Sequence, residues 1–296
     1  MHDGRNAGGC LATNPSRLDF IEMAIARTDR AVLISDAEGH PCYLNPAFEA
    51  LFGYGLDDFA GQTPWSLLAG PMTDERLHQR ARSFGKTGGG FHDDLLLRTR
   101  SGDPVWVSAR LDPVHDAQGR FTHLVAMLAD TTQSKRLQVF QRLSLDALSR
   151  DMPLKEFMGQ ICEQVQALAP DTICSILRVD ENQKLRPLAA PSLPESVAKQ
   201  IAGLEIGPRA GSCGTAAWRG EPVVVEDIEI DPLWTDFKHL FLPLGLKACW
   251  SYPMVLRNGR VAGTFAFYFP ESRPPSAWHL RLVETCLSLC VMAIER

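Results

Sequence analysis

A chain of 296 residues with 30 basic and 35 acidic side chains, and so a formal charge of −5, is long enough for two ordinary domains and has no basic surplus to track a phosphate backbone. Its eight cysteines are scattered rather than crowded into a small disulfide scaffold, which predicts thiols in a reducing compartment. The opening MHDGRNAGGCLATNP lacks the apolar segment of a signal peptide, and no later run approaches the roughly 20 apolar residues of a bilayer span, so the covered chain is expected in the cytoplasm.

After a weakly ordered start over 1–17, AVLISD (31–36) and PCYLN (41–45) are separated by AEGH, which reads as strand, tight turn and strand. PAFEALFGY then places Phe48, Leu51 and Phe52 at helical spacing, with Asn45 to cap the helix and Pro46 in its first turn. In DERLHQRARSFGKTGGG, Leu77, Ala81 and Phe84 mark the inward face of a further helix. His78 lies about 100° round from Leu77, where it can reach inward or stand half-exposed beside Arg80 and Arg82. FHDDLLLRTRSGDPVWVSARLDPV predicts two strands across a Ser101-Gly102 turn. Val105, Val107, Ala109 and Leu111 alternate there with Trp106, Ser108 and Arg110. GRFTHLVAMLADTT supplies a last strand. His92, His115 and His123 fall in strand or turn contexts whose spacing makes no metal site.

TTQSKRLQVFQRLSLDALSRD is rich in helix formers and sets Leu137, Phe140, Ser144 and Ala147 near heptad spacing. Two such helices would form a dimer seam, whereas one alone would open the next domain and pack on it; the roles are compatible. PLKEFMGQICEQVQALAP follows as an amphipathic helix with Phe157, Ile161 and Val165 four apart. TICSILRVD, EPVVVEDI, KACWSYPMVL and RVAGTFAFYF read as strands, the last two joined through Asn258-Gly259, a strong hairpin signal. SAWHLRLVETCLSLCVMAIER closes the chain as a helix that ends without a cap, as expected where a further domain follows.

The element order, NPAFEALFGY and the ending DPVHDAQGRFTHLVAMLADTT resemble the PAS sensor family. GSCGTAAWRGEPVVVEDI, LPLGLKACWSYPM and GTFAFYFPESRPPS resemble the GAF sensor family, in a branch found in bacterial receptors with diguanylate cyclase, cyclic-di-nucleotide phosphodiesterase or histidine kinase outputs. Together these resemblances imply an α+β chain of two sensor domains, each a central antiparallel sheet with flanking helices. The expected boundaries are a PAS domain at 18–132, a helical linker at 133–150 and a GAF domain at 151–296.

GQTPWSLLAGPMTD (61–74) is similar to the cofactor-facing segment of the flavin-binding PAS branch, but Pro64 stands where that branch places its reactive cysteine. The amides with which that branch meets the flavin edge match Leu97, Val107 and Leu128, three apolar residues, which disfavours flavin. An apolar pocket suits haem b. The oxygen-sensing branch implies His78 as its iron ligand, with Arg110 at the rim to pair with a propionate. The cofactor itself is left open.

In the second region, Trp218, Trp234, Trp250 and Tyr252 either line a ligand pocket or serve as core and interface. The glycines of GSCGTA lack phosphate-loop spacing and suit a tight helix start. A GAF subfamily that reduces free methionine sulfoxide would put catalytic thiols at Cys213 and Cys249, but its polar substrate loop is replaced here by the apolar FKHLFLPLGLKACWSYPM. No output-domain signature is present, so the covered region is expected to sense rather than catalyse. The expected partners are a second copy of the chain, joined through the helical linker, and a C-terminal effector; the competing reading is a ligand-free dimerisation and docking module.

Overall fold

A computed structural model describes residues 17–76, 79, 90–150 and 152–296, so the expectations for residues 1–16, for His78 and for the inward face Leu77, Ala81 and Phe84 lie outside it. The chain forms two compact units, the first ending at Lys135 and the second beginning at Arg136.

The first unit contains α1 (Arg17–Arg27), β1 (Ala31–Asp36), β2 (Pro41–Leu44), α2 (Pro46–Phe52), α3 (Pro64–Leu68), β3 (Phe91–Arg98), β4 (Pro104–His115) and β5 (Phe121–Asp130). The strands pair antiparallel in the order β2-β1-β5-β4-β3. Strict alternation sends Val105, Val107, Ala109 and Leu111 of β4 to one buried face, together with Leu95, Leu97, Ala126 and Leu128. Phe48, Phe52, Phe59 and Leu68 cover that face, and burial of each such side chain contributes roughly 1.5–3 kcal/mol.

Asn45 does more than cap α2. Its Oδ1 accepts from the backbone N–H of Phe48 at 3.0 Å and of Val32 at 2.8 Å. Its Nδ2 donates to the carbonyls of Ile25 at 3.0 Å and Arg30 at 2.9 Å. One fully buried amide thus joins the end of α1, the start of β1 and the first turn of α2.

α4 (Thr132–Ser149) leaves β5 as one helix that crosses the division between the units. Its first turn is fixed on the first sheet: Thr132 Oγ1 accepts from Trp106 N–H at 3.0 Å, and the Lys135 ammonium lies 2.6 Å from Asp94 and 5.4 Å from the centre of the Trp106 ring. Its later turns belong to the second unit. Phe140 and Ser144 are 3% and 2% exposed in that unit's core, with Leu137 and Ala147 packed against it. The face with heptad spacing is therefore occupied by the second domain, which leaves Val139 and Leu143, 53% and 48% exposed, on the other side.

The second unit continues with α5 (Leu154–Leu168), β6 (Ile173–Val179), β7 (Leu185–Ala189), α6 (Glu195–Ile201), α7 (Gly211–Arg219), β8 (Val223–Val225), α8 (Lys238–Phe241), β9 (Ala248–Val255), β10 (Val261–Phe269) and α9 (Ala277–Glu295). Its sheet is antiparallel in the order β7-β6-β10-β9-β8. Residue parity separates two faces. Cys174, Ile176, Trp250, Tyr252, Phe265, Phe267 and Phe269 pack with α5 and α9, while Leu177, Cys249, Ala266 and Tyr268 lie in the layer that holds Val197 of α6 and Ala216 of α7. By length and composition α9 is apolar enough to cross a bilayer, with mean hydropathy 1.4, contrary to the expectation that no such run exists. Leu282, Val283, Cys286, Leu289 and Cys290 of α9 are nonetheless buried in the core of the second unit.

Candidate functional site

The inner face of the first sheet brings together three of the residues singled out in the sequence. Leu97, Val107 and Leu128 are all buried in one apolar cluster beneath the aromatic groups of α2 and the Leu56–Phe59 turn. None offers a donor or acceptor, so these positions do not fit the carbonyl and N–H edge of a flavin. Pro64 occupies the first turn of α3. The three side chains are packed with Phe48, Phe52 and Phe59 in the core of the first unit.

Arg110 does not join them. It lies between Ala109 and Leu111, so the alternation of β4 turns it to the outer face, where its Nε donates to Asp112 at 2.8 Å and its side chain is 64% exposed. The expected pairing with a propionate at the pocket rim is corrected by that parity.

On the second sheet, the layer beneath α7 carries a connected set of polar side chains that the sequence reading did not assemble. Ser175 of β6 and Tyr268 of β10 share a hydrogen bond of 3.0 Å. The Cys213 sulfur, in the first turn of α7, lies 3.9 Å from the Tyr268 hydroxyl. Trp234 Nε1 donates to Ser212 Oγ at 2.9 Å, and that hydroxyl donates on to the Cys249 carbonyl at 3.4 Å. Ser251 Oγ and Thr264 Oγ1 are buried without a well-formed hydrogen bond of their own, and both lie near Cys213.

The neighbouring Cys249 thiol, with support from Ser251, Tyr268 and Thr264 and against the opposing effect of burial, lowers the Cys213 thiol from 9.0 to about 7. Its place among the free N–H groups of a helix start favours the same direction. Burial, reinforced by the adjacent Cys213 sulfur, holds Cys249 well above the ordinary thiol range. Cys213 is half-buried, whereas Cys249 is fully buried. The tight helix start expected of GSCGTA is present. Gly211 has φ +62°, and a Cβ on Gly214 would meet the Ala210 Cβ at 2.5 Å.

The aromatic candidates do not converge. Trp250 and Tyr252 belong to the opposite face of the sheet, Trp234 lies beneath α7, and Trp218 is 54% exposed. Among the described residues no three His, Cys, Asp or Glu side chains group as a metal site. A signal for the polar set was available: Cys249 and Ser251, and Thr264 and Tyr268, share parity along their strands.

Comparison with known proteins matches residues 29–133 to the PAS domain and 151–295 to the GAF domain. The chain is 29% identical over 251 residues to the methyl sulfide methyltransferase-associated sensor of Methanosarcina acetivorans, covering 82% of this chain and 25% of that protein. It is 28% identical to the oxygen sensor protein DosP of Escherichia coli, over 52% of this chain and 19% of that protein. It is 30% identical to the biofilm dispersion protein BdlA of Pseudomonas aeruginosa, over 46% of this chain and 32% of that protein. The chain thus spans about a third or less of each of these relatives.

Proposed function

We propose, for a chain that consists of a PAS domain at 29–133 followed by a GAF domain at 151–295, that it is the sensory part of a longer cytoplasmic signalling protein. Its output would be cyclic-di-nucleotide turnover or histidine phosphorylation, supplied by residues beyond this chain. The observation that carries the reading is the run of α4 from the Trp106 backbone of one sensor sheet into the Phe140 core of the other. In this reading, a change of ligand or redox state in the PAS domain shifts the populations of two arrangements of β4 and β5, and α4 carries the shift onward. The proposed boundaries are PAS 18–132, a helical connection 133–150 and GAF 151–296.

The proposed occupant of the PAS domain is haem b held against Leu97, Val107 and Leu128, with His78 as its iron ligand. The likeness to a relative named as an oxygen sensor supports this choice. A bound haem would supply reversible capture of a diatomic gas. The apolar wall would exclude water and hold the ring, and Arg110, facing outward, takes no part. Protein expressed with haem precursor should show a Soret band that shifts on reduction and carbon monoxide addition and is lost in His78→Ala. A band unchanged in His78→Ala would remove that ligand, and flavin bands near ~450 nm would contradict the apolar wall.

The exposed Val139 and Leu143 favour a second element, homodimerisation through the outer face of α4. Val139→Asp with Leu143→Asp should weaken self-association at least tenfold in sedimentation equilibrium while leaving the circular dichroism spectrum intact. An unchanged association constant would place the dimer contact elsewhere.

A further inference from the structure

The start of α9 takes no part in the PAS reading or in the course of α4, yet among the described residues it holds the buried histidine, His279, at 6% exposed. Its ring stands edge to face with two aromatic side chains of the sheet, 5.2 Å and 79° from Trp250 on β9 and 5.4 Å and 87° from Phe269 on β10. Its Nδ1 lies 2.7 Å from the Oγ of Ser276, the residue that caps α9 by accepting the His279 backbone N–H at 3.4 Å. A neutral ring with its proton on Nε2 accepts the Ser276 hydroxyl there. A charged ring must donate instead, which sets two N–H groups on one oxygen and takes the acceptor away from the hydroxyl proton.

The surroundings oppose a positive ring. The free N–H groups of a helix start carry partial positive charge. The sheet meets the ring with the uncharged Trp250 and Phe269. The loop after β10 brings up the Arg273 guanidinium, 5.3 Å from the centre of the Phe269 ring, so an aromatic face that could attract an imidazolium already holds a cation. Asp171, in the loop between α5 and β6, favours a charged His279, but Arg273 engages its carboxylate at 2.6 Å. Burial first, and then Arg273, hold the His279 imidazole below its ordinary value of 6.5.

We propose that His279 is a proton-sensitive pin, which docks the first turn of α9 on the sheet when neutral and releases that turn when protonated, giving the second domain a response to pH of its own. A released, hydrated ring takes up its proton at about 6.5 and the docked ring only at lower pH. Docking is therefore at full strength above that value, weakens as the pH falls through it and levels off once the docked ring is itself protonated. Release has a defined reach. Trp250 and Phe269 lose their cover, and Trp250 Nε1, which donates to the Arg273 carbonyl at 3.1 Å, ties that loss to the loop that precedes the helix. Leu282, Val283, Cys286, Leu289 and Cys290 keep the rest of α9 in the core, so the change is confined to its start.

The test takes the full chain from about pH 7.5 to about pH 5, with NMR of the His279 Cε1–H and hydrogen exchange at the amides of 280–283. The first of these amides, that of Leu280, donates to the Ser276 carbonyl at 3.0 Å. The imidazole should titrate below about 6.5. Protection at 280–283, corrected for the intrinsic exchange rate, should fall by up to about tenfold per pH unit below that value, while the amides of β10 keep theirs. His279→Gln should make protection at 280–283 independent of pH over this range. An imidazole that titrates at about 6.5 or above, or protection in the wild-type chain that is flat with pH, overturns the proposal without reliance on any variant's folding. An equal pH-dependent loss in His279→Gln assigns the response to another group and overturns it as well.

Discussion

Asn45→Ala should destabilise the first domain by on the order of 3–5 kcal/mol, seen as a large fall in the midpoint of its urea transition while the second domain's transition stays in place. The substitution removes four hydrogen bonds at once. The N–H of Val32 is buried and is left with the desolvation penalty of about 1–3 kcal/mol that follows the loss of a partner, whereas the N–H of Phe48 loses the cap but keeps its 3.0 Å bond to the backbone carbonyl of residue 45. The Ile25 and Arg30 carbonyls are part-buried and recover some hydration. Asn45→Asp separates the two halves of the role. It keeps the acceptor for the two N–H groups but sets a carboxylate against the two carbonyls, so its defect should exceed that of a lost cap alone and ease as the pH falls into the carboxylate range. A loss under 1 kcal/mol for Asn45→Ala would mean that α1, β1 and α2 are held together by apolar contacts and not by this amide.

Asn45 also marks how far the sequence can be read. A residue followed by proline and a helical apolar pattern is legible as a cap from local spacing. Its bonds to Ile25, Arg30 and Val32 arise from a tertiary meeting that no local pattern encodes. Strands announced themselves through parity, and parity also holds the answer for Arg110: a residue between Ala109 and Leu111 faces away from them, whatever a family likeness suggests for the pocket rim. The aromatic residues of the second domain teach the same lesson. Their amphipathic chemistry suits a pocket or a core alike, and parity divides them, since Trp250 shares a face with Tyr252 and lies across the sheet from Cys249 and Tyr268. Spacing identified the apolar face of α4 without identifying what covers it, because a heptad-like stripe suits a second helix and a domain core equally.

Phe140→Ala resolves that last ambiguity in solution. Truncating a phenylalanine that is 3% exposed should cost the second domain about 3–5 kcal/mol, since the lost transfer energy is joined by that of a cavity among Phe157, Ile161 and their neighbours. Leu143→Ala, on the exposed side of the same helix, should move stability by about 0.5 kcal/mol or less in the isolated chain. Equal effects from the two would mean that α4 is a free connector rather than part of the second domain's core. The contrast bears on signalling because Lys135, held by Asp94 and Trp106, precedes Phe140 by roughly one and a half turns. A movement of β4 that rotates the first turn of α4 therefore has little length of helix in which to dissipate before it meets a fully packed side chain. In Phe140→Ala the cavity would let the helix turn without repacking its surroundings, so the variant should bind a first-domain ligand normally and fail to protect second-domain amides from hydrogen exchange when it does.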